Sequence, residues 1–133
     1  MACFLVSAAE AVVVKAVEKH EEKVEAQKPV EAETTEEAVQ KIPMSRKLRW
    51  LTRLLIGGAI LLAFEHVWHG EVVPWFPFLT AMSDPADTAE MLHEMATVGV
   101  CMAALITLVW LVMCKVADNL VSSEATEQEK TVA

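Results

Sequence analysis

Residues 95–114 are twenty consecutive uncharged and mostly apolar residues, and no other feature of the sequence restricts the fold as strongly. An apolar run of about 20 residues matches the hydrocarbon thickness of a bilayer when it forms an α-helix. Lys115 closes the run. A helix start signal precedes it, because Asp84 suits the N-cap position and Pro85 the first helical position. The sequence therefore predicts a membrane-spanning helix over about residues 85–117.

A second span is predicted over about residues 45–69. Its uncharged core, residues 54–64, is short, but Trp50 and Trp68 lie 18 residues apart, which is about 27 Å along a helix. That distance places one Trp at each bilayer interface. Ser45 is the expected N-cap of this helix. Residues 43–118 are thus predicted to form a two-helix transmembrane hairpin with an outer loop over 70–84.

The orientation of the hairpin follows from its basic residues. The segment 64–95 contains no Lys or Arg, whereas four basic residues precede the first span and one follows the second: Arg46, Lys47, Arg49, Arg53 and Lys115. The positive-inside rule places both chain termini in the cytosol and the connecting loop outside. We expect a multi-pass protein of the cell membrane, in a bacterial inner membrane.

Residues 1–42 are predicted to be cytosolic, as an amphipathic helix followed by an acidic linker. In residues 2–17, Leu5 and Val12 fall on one side of a helical wheel, and Ser7 and Glu10 on another. The segment is too short to span a bilayer, so we expect it to lie on the membrane or on a partner helix. The highly charged linker and the acidic tail, 119–133, are predicted to be flexible and disordered. The predicted fold class is an all-α membrane protein.

Composition and motifs exclude several function classes. The net charge of −8 argues against nucleic-acid binding. The basic cluster at Arg46–Arg53 adjoins a span, so lipid headgroups are its expected neighbours. The sequence contains no phosphate loop, nucleophile elbow or catalytic triad order. We expect a protein that is not an enzyme and uses no cofactor.

Ionisable residues cluster at the outer end of the predicted hairpin, where such residues are functional suspects. The metal-ligand candidates are Glu65, His66, His69, Glu90 and His93. Glu-x-x-His motifs build di-metal sites in helix bundles, but only one occurs here, so a dimer would have to supply the second. The histidines suit Zn²⁺ or Cu²⁺ as well, and His69 with His93 could hold a haem. Alternatively, these residues only mark helix ends, where their charges interact favourably with the helix dipoles.

Two helices bury little surface against each other, so partners are expected. The bilayer is one, and a second copy or a larger membrane protein is another. The small residues Ala96, Gly99 and Ala103 predict a close helix contact on the second span. The predicted function is a non-enzymatic subunit or adaptor of a larger membrane assembly. The alternatives are a metal- or haem-binding membrane protein that uses the outer cluster, and a small oligomeric ion or proton pore.

Overall fold

The computed structural model describes residues 2–27 and 42–133, and nearly all of these residues are helical. The helices are α1 (Phe4–Gln27), α2 (Met44–Trp68), a 3₁₀ turn (Thr80–Ser83), α3 (Pro85–Glu94), a π-helical turn (Met95–Gly99) and α4 (Val100–Val132). The last three form one continuous helix. By length and composition, α2 and this continuous helix are able to cross a membrane. The predicted helical architecture with two such helices is confirmed. The flexible acidic linker was expected over residues 18–42, but α1 continues to Gln27, because Glu18 and Glu22 pair with Arg49 of α2 and their mutual repulsion is offset. The prediction is wrong for 18–27, and residues 28–41 lie outside the described residues.

The start signal predicted for the second span is confirmed. Asp84 is the N-cap of α3, its Oδ1 accepts a hydrogen bond from the Ala86 amide at 2.8 Å, and Pro85 begins the helix. The carboxylate therefore satisfies one of the amides that a helix leaves without an intrahelical partner.

Ser45 is not the N-cap of α2, and that prediction was wrong. The helix begins at Met44 after Pro43, which makes no side-chain cap. Instead, the Ser45 hydroxyl donates to Oε2 of Glu25 in α1 at 2.7 Å, and the Ser45 amide donates to Oε1 at 3.4 Å. A carboxylate from another helix thus supplies the acceptor that a local cap would have provided.

The tail is helical, which corrects the prediction of disorder over 119–133. α4 continues without a break from the apolar run to Val132. The physical reason is cooperativity: a helix already formed in the span extends without a new nucleation cost. Glu124, Ala125 and Glu127 are good helix formers, and no Gly or Pro interrupts the tail.

α1, α2 and α4 form a three-helix bundle. α1 runs antiparallel to α2, since its Phe4 ring contacts His66 near the end of α2 while Glu25 contacts Ser45 near the start. Ala11 of α1 is buried with Leu51 and Leu55 of α2. Ile106 and Trp110 of α4 pack against this cluster. The beginning of α1 consequently lies at the same end of the bundle as loop 70–84.

The loop between α2 and the 3₁₀ turn is pinned by backbone hydrogen bonds. Val72 and Leu79 form an isolated antiparallel bridge, and the Thr80 amide donates to the Glu71 carbonyl at 3.0 Å. Gly70 enters the loop with a φ of +74°, a conformation that favours glycine. Three aromatic side chains at the loop tip are exposed: Trp75, Phe76 and Phe78. The loop presents an aromatic surface at one end of the bundle.

Candidate functional site

The structure brings part of the outer cluster together around His66. His66 is buried, and its Nδ1–H donates to the Leu62 carbonyl at 2.7 Å, because a carbonyl can only accept. Glu65 Oε2 lies 3.2 Å from the same nitrogen, and Glu71 Oε2 lies 3.8 Å from Nε2. The Phe4 ring meets the imidazole edge-on at a centroid distance of 5.6 Å. His66 at the end of α2 therefore packs against the beginning of α1.

The other metal candidates lie at exposed positions. His69 Nε2 lies 3.5 Å from Glu65 Oε1, as the i, i+4 spacing on one helix face predicts. Glu90 and His93 are exposed on α3, and no ion pair joins either to the α2 histidines in the described part of the chain. Across residues 2–27 and 42–133, no three His, Cys, Asp or Glu side chains form a group suited to a metal ion. The geometry favours His66 as a helix contact.

α1 buries polar side chains and exposes valines, although its basic residues Lys15, Lys19 and Lys23 are also exposed. Ser7 and Glu18 are both 0% exposed, whereas Val12 is 71% and Val13 63% exposed. The segment was expected to bury its apolar side, but its carboxylates and its serine face α2 and α4 instead. Since apolar surface costs free energy in water and not in lipid, this arrangement suits a helix surrounded by hydrocarbon.

Glu18 is the centre of an ionic network between α1 and α2. Its Oε1 accepts from Lys15 Nζ at 2.9 Å and from Arg49 Nε at 3.2 Å, and its Oε2 lies 3.4 Å from the Thr52 hydroxyl. Arg49 also contacts Glu22 of α1. The Glu18 carboxylate is therefore surrounded by two cations and a hydroxyl group.

Two further polar contacts join α4 to the other helices. The Thr107 hydroxyl donates to Glu10 of α1 at 2.7 Å. About one turn further along α4, Trp110 Nε1 donates to the Lys47 carbonyl at 2.7 Å, and Lys47 Nζ lies 2.6 Å from Asp118 Oδ2. Each ionisable group in these contacts has a partner of suitable charge or hydrogen-bonding type. Such pairing allows polar side chains to persist in an apolar environment.

A groove of about 870 Å³ lies between α1 and α2 and is lined only by residues of these two helices. Small and aliphatic side chains line most of it, among them Ala8, Ala59 and Ala63. Four basic residues line the remainder: Lys15, Lys19, Arg49 and Arg53. The groove is therefore apolar over most of its length and positively charged at one end.

The sequence did carry a signal for the buried face of α1. Ser7, Ala11, Val14, Glu18, Glu22 and Glu25 recur at intervals of three and four residues. This is the spacing of residues along a helix–helix seam. The seam was not predicted because its members are small or acidic, and their partners on α2 and α4 lie far along the chain. The groove itself was not predicted, although Arg49 and Arg53 at its basic end belong to the cluster that was expected to lie near lipid headgroups.

Comparison with known proteins supplies no analogy for these features. No protein-family model matches the chain, and neither a curated protein nor a solved structure matches it.

Proposed function

We propose that this protein is a non-enzymatic integral membrane subunit or adaptor, built as a three-helix bundle. The bundle lies in the bilayer, and its outward apolar faces contact lipid and the helices of a partner. That partner is a larger membrane assembly or a second copy of the chain.

The proposed membrane location rests on one observation, namely that α1 buries polar side chains and exposes valines. Glu18 and Ser7 face the bundle, and Val12 and Val13 face outward. In water this arrangement would expose apolar surface and desolvate charges at the same time, so both terms would oppose folding. In a bilayer the outward valines are solvated by acyl chains, and the inward carboxylates find partners on α2 and α4.

The proposed orientation keeps loop 70–84 outside and the end of α4 in the cytosol. The absence of Lys and Arg from 64–95 supports it. The proposal differs from the cytosolic position expected for residues 1–42, since it has the beginning of α1 at the outer end of the bundle, and the antiparallel packing of α1 on α2 supports it. Residues 2–17 extend about 23 Å at the helical rise, so α1 traverses most of the hydrocarbon core beside α2.

The subunit role rests on what the bundle leaves uncovered. Leu105, Leu108, Val109 and Val112 of α4 are all more than half exposed. They form a continuous apolar stripe, since their spacing is that of one helix face. This stripe and the aromatic loop tip offer surfaces for neighbouring membrane helices and for the outer interface.

The proposal is tested by extraction and crosslinking in native membranes. The full chain should stay in the pellet after carbonate treatment. A photo-crosslinking residue replacing Leu108 should capture a membrane protein or a second copy. The matched position is Ser122 on the cytosolic tail, where the same residue should capture far less. Release by carbonate would contradict the membrane location, and equal capture at the two positions would contradict docking through the α4 stripe.

A further inference from the structure

The basic end of the groove between α1 and α2 concentrates positive charge in an ordered way. Lys15 and Lys19 are i, i+4 on α1, and Arg49 and Arg53 are i, i+4 on α2. Both pairs line the same groove. Like charges at this spacing destabilise a helix, and here two such pairs share one groove. An anion bound between them would relieve that repulsion.

Among the residues that the structure describes, two of the four cations have no acidic partner. Glu18 and Glu22 neutralise Lys15 and Arg49 in part. Lys19 and Arg53 make no ion pair within residues 2–27 and 42–133, and no acidic side chain lines the groove. The uncompensated charge therefore points to a negatively charged ligand.

The rest of the groove fits a hydrocarbon chain. Beyond Arg53 it is lined by Ile56, Ala59, Ile60 and Ala63 on α2 and by alanines of α1. From Arg53 to Ala63 the groove runs about 15 Å at the helical rise. One leaflet of the hydrocarbon core is about 15 Å thick, as half of roughly 30 Å. The basic end also lies at the level of Trp50, the proposed cytosolic interface.

We infer that this groove binds one anionic phospholipid of the cytosolic leaflet. The phosphate lies between Lys19 and Arg53, and an acyl chain follows the alanine-lined groove towards Ala63. Basic pockets between transmembrane helices on the cytosolic side are suited to such headgroups. The inference rests on the proposed membrane location and goes beyond it by naming the ligand class.

The test is native mass spectrometry of the purified full chain in detergent. The chain is titrated with dioleoyl phosphatidylglycerol and, in parallel, with dioleoyl phosphatidylcholine, which has the same acyl chains and no net charge. The chain should bind one phosphatidylglycerol molecule with high affinity and should clearly prefer it over phosphatidylcholine. The double change Lys19→Gln, Arg53→Gln should weaken its binding by about thirtyfold, as expected for losing two basic contacts to an anionic headgroup.

A matched pair of changes separates the groove from general surface charge. Lys23→Gln with Arg46→Gln removes two exposed cations from the same helices but outside the groove, and should leave the preference unchanged. Ala63→Leu should reduce phosphatidylglycerol binding by filling the groove, whereas Ala104→Leu, at an exposed position of α4, should leave that binding unchanged. Circular dichroism of each variant checks that the helices remain folded.

Three outcomes would overturn the inference. The first is equal binding of the two lipids, and the second is equal loss with the groove and control pairs. The third is a protein that shows no lipid preference and forms a dimer that Ala63→Leu dissociates, because the groove would then be an interface between copies. Carbonate extraction of membranes from cells that produce the same variants distinguishes failure of this site from failure of the membrane location, since a protein retained in the membrane but without lipid preference contradicts only the site.

Discussion

Gly99 lies where α1 packs against the π-helical turn that precedes α4. A Cβ atom added there would lie 2.8 Å from Val6 Cγ2 and 3.4 Å from the Cα and carbonyl oxygen of Cys3. Valine is β-branched and has little rotamer freedom, so it cannot easily move aside. A Cβ added at Gly57, by contrast, would meet nothing within 4 Å. The absence of a side chain at Gly99 therefore permits the close approach of α1.

Gly99→Ala should loosen the beginning of α1, because the added methyl group overpacks this contact. The measurement is the rate at which a maleimide modifies Cys3, which is buried, in purified protein whose Cys101 and Cys114 are replaced by Ala. We expect a rate at least several-fold higher than in the parent. Gly57→Ala is the control and should leave the rate unchanged. An unaltered rate in Gly99→Ala would show that α1 does not depend on this contact.

At the scale of elements, the continuous helix Pro85–Val132 is longer than a span requires. α4 alone has 33 residues, which is about 50 Å at the helical rise. A hydrocarbon core of about 30 Å accommodates only part of that length. The last turns of α4 therefore project into the cytosol in the proposed orientation, as an extension of the membrane helix.

The helical tail is tested by NMR. The ¹³Cα shifts of residues 119–132 should be helical in the parent chain. Ala125→Pro should abolish them beyond that position, because proline costs about 3 kcal/mol inside a helix. Within the described residues, no side-chain hydrogen bond or ion pair joins 125–132 to another helix. Ala133→Pro lies past the last helical residue and should have no such effect. Random-coil shifts over 119–132 in the parent would restore the disordered tail predicted from sequence.

The accuracy of the sequence predictions depended on whether the determining contacts were local. Asp84 and Pro85 specify a helix start by themselves, and an apolar run of twenty residues specifies a helix long enough to span. The packing of α1 depends on Arg49 and Thr107, which lie 31 and 97 residues from their partners Glu18 and Glu10. A local sequence pattern cannot indicate such pairings. The prediction for the outer cluster likewise did not include Phe4, whose ring packs against His66.

For the whole molecule, the packing predicts which segments face the outside of the cell. A cysteine replacing Ser83, in a chain without native cysteines, should react with an impermeant thiol reagent in intact cells. A short epitope placed before Ala2 should be detected on the same side. A cysteine replacing Ser122 should react only after permeabilisation. Detection of the epitope only after permeabilisation would mean that α1 does not cross beside α2, and would restore the cytosolic position expected from sequence.

The buried polar face of α1 also sets an order of events during synthesis. α1 leaves the ribosome first, carrying Glu10 and Glu18. Lys15 of the same helix already pairs with Glu18, whereas Arg49, the second cation on Glu18, and Thr107, which donates to Glu10, arrive later with α2 and α4. A helix with unpartnered carboxylates enters hydrocarbon at a high cost. If the bundle lies in the bilayer as proposed, we expect the first helix to be translated to settle there last, after the hairpin that receives it has been made.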